Sequence, residues 1–145
     1  MKRYACLFGV TALLLVAADD KDDAKKELER FQGTWKIESI EIDEAKLDPK
    51  MFKDAQLVIM KDGEFSFKEG DRVSKGTFKV DKSKKPNTID ITYTEGLKAS
   101  FVGIYELDGD TFKVCLDPTG KNRPTKFESK KGSGHVMEVL KREKK

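Results

Sequence analysis

His135 is the only histidine of the chain, and it follows a turn of small and basic residues, Lys130–Lys131–Gly132–Ser133–Gly134. With Cys115 it offers the residue types of a nucleophile and its base, a thiol deprotonated by an imidazole. That chemistry also needs a group to orient the base, and no acid stands at a spacing that marks it. Zinc would draw on the same two side chains and leave the remaining ligand positions to unspecified carboxylates. Asp108–Gly109–Asp110 is similar to a fragment of a calcium loop but lacks that loop's ligand spacing. A hairpin turn accounts for it fully. The eleven glycines read as single residues at turns and strand ends, so no phosphate-cradling loop is expected. The chain is therefore read as non-enzymatic, with no catalytic residue, metal or cofactor. Cys115 is read as a small core hydrophobe.

Charge excludes a further class. The chain carries 29 Lys+Arg against 26 Asp+Glu, a net +3. Residues 1–18 contain Lys2 and Arg3 and no acid, so the remainder holds 27 basic against 26 acidic residues. A near-neutral domain with interspersed charges has no electrostatic footprint for nucleic acid. The cluster Lys82, Lys84, Lys85 and the tail Lys141, Arg142, Lys144, Lys145 read as a solvated turn and a solvated terminus.

The N-terminus reads as an address. Met1–Lys2–Arg3 is followed by an uncharged run from Tyr4 to Ala18, shorter than the roughly 20 residues of a membrane span. Val16–Ala17–Ala18 places small residues before Asp19–Asp20, the pattern of a signal peptide cleaved after Ala18. An uncleaved anchor is the alternative. The expected product, residues 19–145, is one domain, periplasmic or secreted, with no stable membrane insertion after cleavage. Cleavage removes Cys6 and leaves Cys115 alone, so packing rather than a disulfide must hold the fold.

Two kinds of element position these residues. Between Asp19 and Gln32, Ala24, Leu28 and Phe31 recur at helical spacing, with Asp22 and Asp23 at the start and Gly33 placed to stop the helix. From Thr34 the period becomes two. Trp35 and Ile37 begin a series that runs through Leu57/Ile59, Phe65/Phe67, Phe78/Val80 and Ile89/Ile91/Tyr93. Phe101/Tyr105/Leu107, Phe112/Val114/Leu116 and Val136/Leu140 complete it. Ile40 and Ile42 fall out of phase with Trp35 and Ile37, which calls for a β-bulge near Glu38–Ser39 or a sharp bend. Asp62–Gly63, Gly70, Glu95–Gly96 and Asp108–Gly109 mark turns. Asp48 and Pro49 mark a short helix, with Leu47 placed to staple onto Phe52. No gap is long enough for repeated crossover helices, so the strands should be antiparallel. Eight or nine such strands hide their edges in a sandwich or a barrel, and tight hairpins favour an up-and-down barrel preceded by a short helix.

Gly33–Thr34–Trp35, entering the first strand after a short helix, resembles the Gly-x-Trp signature of lipocalins and their calycin relatives. The resemblance implies a basic residue near the end of the last strand packed over Trp35. Lys141 and Arg142 both stand there, and Arg142 is favoured for its flat guanidinium. Gln32–Gly33–Thr34–Trp35, Gly76–Thr77–Phe78 and Gly103–Ile104–Tyr105–Glu106–Leu107–Asp108–Gly109–Asp110 are similar to a narrower family, small exported lipocalin-like domains of planctomycete bacteria. The likeness covers roughly residues 27–143 and implies a fold and a binding habit.

The remaining place for function is the barrel interior. Phe65, Phe67, Phe78, Phe101 and Phe112 are expected to point inward, with Tyr93 and Tyr105 as polar handles. Five inward phenylalanines predict a well-filled interior, and hence a small or flat apolar ligand. A solid barrel that binds a protein or a glycan through Lys82–Asn87 or Pro118–Pro124 is the alternative.

Overall fold

The computed structural model describes residues 22–144, so the expected leader lies outside the described residues. A helix, α1, covers residues 22–30. Nine strands follow among the described residues: β1 (Gly33–Ile42), β2 (Ala45–Lys46), β3 (Ala55–Ile59), β4 (Glu64–Glu69), β5 (Arg72–Asp81), β6 (Thr88–Glu95), β7 (Ser100–Asp108), β8 (Thr111–Asp117) and β9 (Val136–Arg142). All neighbours pair antiparallel, and β1 also pairs with β9. β1 and β3–β9 thus close an up-and-down barrel of eight strands, while β2 extends the far end of β1. No helix among the described residues is long and apolar enough to cross a membrane.

The phase change in β1 is a bulge. Ile37 pairs with Leu140 and Ser39 with Val139, so the register across β9 shifts at Glu38. The extra residue lets Ile40 face inward after the break, and Ile37 and Ile40 line the same interior space. Pro49–Met51 forms a single 3-10 turn capped by Asp48, whose carboxylate accepts from the Lys50 amide at 2.9 Å.

Helix α1 plugs one end of the barrel. Phe31, just past the helix, enters the core with its ring 5.2 Å from Phe78, 5.3 Å from Tyr105 and 5.1 Å from Phe112. These edge-to-face contacts make a dense aromatic floor. Glu27, on the same helix face as Ala24, Leu28 and Phe31, is buried. It accepts hydrogen bonds from the Tyr105 hydroxyl at 2.8 Å and from Arg30 at 2.6 Å. Burial, and then the Glu27 carboxylate, push the Tyr105 phenol well above its ordinary value.

Trp35 is fully buried in the floor and donates its indole N–H to the Phe31 carbonyl at 2.7 Å. Arg142 pairs with it in register and places its guanidinium 4.3 Å from the ring centroid. The same group donates to the carbonyls of Gln32 and Arg30 and to the Asp110 carboxylate. Gly33 is needed beneath it: with φ +135°, any Cβ there would also approach the Arg142 guanidinium to 3.0 Å. Lys141 points to the outer surface, where it meets Thr111 and Glu38. Arg142→Leu should therefore destabilise the barrel by about 3 kcal/mol in urea unfolding followed by Trp35 emission, because it strands two carbonyls as well as the ring. Lys141→Ala should stay within about 0.5 kcal/mol.

Two glycines depart from the expected turn positions. Gly76 and Gly103 lie within β5 and β7 and are buried. Each stands where a neighbouring strand passes too close for a side chain.

Candidate functional site

The barrel is not filled. Above the aromatic floor lies a cavity of about 750 Å³, a size that suits one drug-sized molecule. It is wide because the phenylalanines divide by height. Phe78 and Phe112 pack against Phe31 at the closed end, Phe65 stands on the wall against Tyr93, and Ile37, Leu57, Phe67, Ile91 and Phe101 border the space between. The expectation of a well-filled interior is corrected on this point. The rings that meet Phe31 form a base, and the others stand on the wall rather than plug the barrel.

Phe65, Phe67, Phe78, Tyr93, Phe101 and Phe112 all border this cavity. Tyr105 does not: although its position on β7 faces inward, it lies within the floor and its hydroxyl is spent on Glu27. Tyr93 stacks edge-on against Phe65 (5.1 Å) and Phe101 (5.4 Å). Its phenol is pushed up to about 12, first by burial and then by the charge of Glu138. It therefore stays protonated at any ordinary pH and can donate a hydrogen bond.

At the open end, the 3-10 turn and the β5–β6 side of the barrel form the mouth. Met51, Val73 and Leu97 border the cavity and are exposed by 66%, 45% and 48%. A rim of exposed large apolar residues is costly in water and suits the passage of an apolar molecule. Glu69 and Arg72, at the ends of adjacent strands, add one charge of each sign to this rim.

Glu138 is the functional residue that the sequence reading passed over. It borders the cavity from β9, one inward layer below Val136 and one above Leu140, paired with Ile40 and Val114. Among the described residues it joins none of the ion pairs. Burial among apolar side chains pushes its carboxyl up to about 7. Its signal was present in the chain: in the alternation Val136, Glu138, Leu140, the middle residue is a charge on an inward position.

The other candidates lie outside the barrel. The Cys115 thiol donates to the Glu128 carbonyl at 3.3 Å, and burial pushes it upward. The His135 ring contacts the Asn122 carbonyl at 3.1 Å. Each is engaged by the backbone of the segment after β8. That segment is fastened to the outer wall by Arg123, which donates to the carbonyls of Ile89 and Gly103 and to Asp90. At its root Asp117 is almost fully buried, which works against its charge. The Asn122 and Thr119 amides and the Thr119 hydroxyl outweigh that penalty and hold it below the usual carboxylate range. No group of His, Cys, Asp and Glu among the described residues is arranged to hold a metal ion.

Fold and site together define a one-ended β-barrel cup with an aromatic base and an apolar rim. Comparison of the chain with family models, curated proteins and solved structures yields no match.

Proposed function

We propose that this is an exported lipocalin-like protein that binds a small, mostly apolar molecule inside its barrel without catalysis. The observation that carries the reading is the cavity of about 750 Å³, closed below by α1 and Trp35 and open above through Met51, Val73 and Leu97. Binding there removes apolar ligand surface from water in a preformed cup, with no covalent step. The basic residue over Trp35 supports the kinship implied by Gly33-x-Trp35. Export rests on the leader pattern of residues 1–18. The alternative, a solid barrel that works through its loops, has less support: the interior is open, and the Pro118–Pro124 loop is tied down by Arg123 and Asp117.

N-phenyl-1-naphthylamine, a neutral apolar fluorophore, tests the reading. Titration of the full chain should give saturable one-to-one binding. Leu57 and Ile91 face the cavity from β3 and β6. The double variant Leu57→Trp/Ile91→Trp should weaken binding by about a hundredfold, since steric exclusion removes most of the buried ligand area, while urea stability changes by under about 2 kcal/mol. Unsaturable binding, or binding untouched by the double variant, would overturn the proposal.

A further inference from the structure

Glu138 is an expensive residue for a site that binds only hydrocarbon. A carboxyl among Val114, Ile40, Leu140 and the aromatic wall adds nothing to the burial of an alkyl chain, and leucine would serve such a site better. Its surroundings give it no cation. Lys141 is turned outward to Thr111 and Glu38, Lys113 pairs with Glu106, and Arg142 is held in the floor by Asp110 and two backbone carbonyls. Of the other acids on the flanking strands, Glu41 accepts from Ser129. Among the described residues, the other charged side chains that border the cavity are Glu69 and Arg72, both at the rim. The wall that completes the chamber is aromatic, with Phe65, Tyr93 and Phe101 in contact edge to face. Ring faces attract cations, and a carboxylate beside them adds a full opposite charge.

Resting on the reading of the cavity as a ligand site, we propose that its ligand is an organic cation, an apolar body carrying one protonated nitrogen, with Glu138 as the residue that selects for it. The nitrogen donates to the Glu138 carboxylate within reach of the Tyr93 ring, and the apolar body lies against Leu57, Ile91 and Phe101 towards the mouth. Binding of the cation requires the ionised carboxylate, so a ligand bound near neutral pH releases the proton that Glu138 otherwise retains.

Three ligands of equal chain length separate the chemistry from the burial: decylammonium, decanol and decanoate, each displacing N-phenyl-1-naphthylamine from the full chain at about pH 8. Decylammonium should bind about tenfold more tightly than decanol, the size of one charge-assisted hydrogen bond, and decanoate most weakly. Glu138→Gln, close to isosteric, should bring decylammonium and decanol to within about threefold of each other, each referred to the fluorophore affinity measured for the variant itself. In the native protein, lowering the pH to about 5.5 should weaken decylammonium and leave decanol unaffected. Equal affinity for ammonium and alcohol, or a preference that survives Glu138→Gln, overturns this inference and leaves the binding function standing. If the fluorophore itself fails to bind, both fall.

Discussion

Gly103→Ala should cost about 3 kcal/mol of stability, because the added methyl group has no room beside β8. Gly103 faces inward in the middle of β7, between Ile89 on β6 and Leu116 on β8. A Cβ there would fall inside the van der Waals envelope of the Cys115 carbonyl oxygen and 2.7 Å from a Leu116 methyl. The leucine can turn aside, but the carbonyl belongs to the paired strand and cannot move without parting β7 from β8. Arg123, which donates to the Gly103 carbonyl at 2.8 Å, pins the same peptide from outside. Gly109→Ala is the matched control. That glycine has φ +57° in the β7–β8 turn with nothing within 4 Å of a new Cβ, so only the left-handed penalty of about 1 kcal/mol applies. Urea unfolding followed by Trp35 emission compares the two, and equal losses would refute the steric account.

Glu138→Gln should raise stability at about pH 8 and leave it unchanged below about pH 4. The direction follows from linkage. The folded state holds the Glu138 proton up to about 7, whereas the unfolded chain releases it near its ordinary value of 4.5. Between those values the folded state binds more protons, so stability falls as pH rises. The full interval corresponds to at most about 3 kcal/mol, and roughly 1–3 kcal/mol is expected because part of the side chain remains open to the cavity. Asp117 works in the opposite sense. Its lowered carboxyl contributes stability that is present above its ordinary range and lost as the pH falls through its folded value. The difference between native protein and variant cancels that contribution. A native curve parallel to that of Glu138→Gln from pH 4 to 8 would show that the carboxyl is not desolvated. A cavity wall that loses stability on ionising, and regains it when a cation arrives, is the thermodynamic counterpart of the proposed selectivity.

Most of the barrel is legible along the chain because its strands pair in order. Period-two runs such as Phe65/Phe67 and Phe112/Val114/Leu116 report which side faces inward, and the hairpin turns from β3 to β8 are too short for anything but antiparallel pairing. The phase slip between Ile37 and Ile40 locates the bulge, since one inserted residue reverses side-chain parity. The choice of Arg142 over Lys141 as the residue above Trp35 follows from guanidinium shape and is matched by register. Gly76 and Gly103 fell under the reading of glycines as turn or strand-end residues, because a glycine inside a strand looks no different locally; its reason is a carbonyl on another strand.

The candidate site was half legible. Six of the seven aromatic residues proposed for the interior do border the cavity, because inward parity is a local property. Tyr105 shares that parity but is consumed by Glu27, a contact between helix and strand that lies 78 residues apart in the chain. Parity alone could also have marked Glu138, the charge between Val136 and Leu140.

Strand order and inward faces follow from the chain alone, because both depend on side-chain alternation and near-neighbour turns; the Trp35–Arg142 closure was implied by the Gly33-x-Trp35 resemblance and is seen in the β1–β9 register. Only the tertiary structure decided that the interior is hollow and that a carboxyl stands within it. Volume is set by the height at which side chains from separate strands meet. Stagger around the closed barrel brought Phe78 and Phe112 together with Phe31 and left the space above them empty.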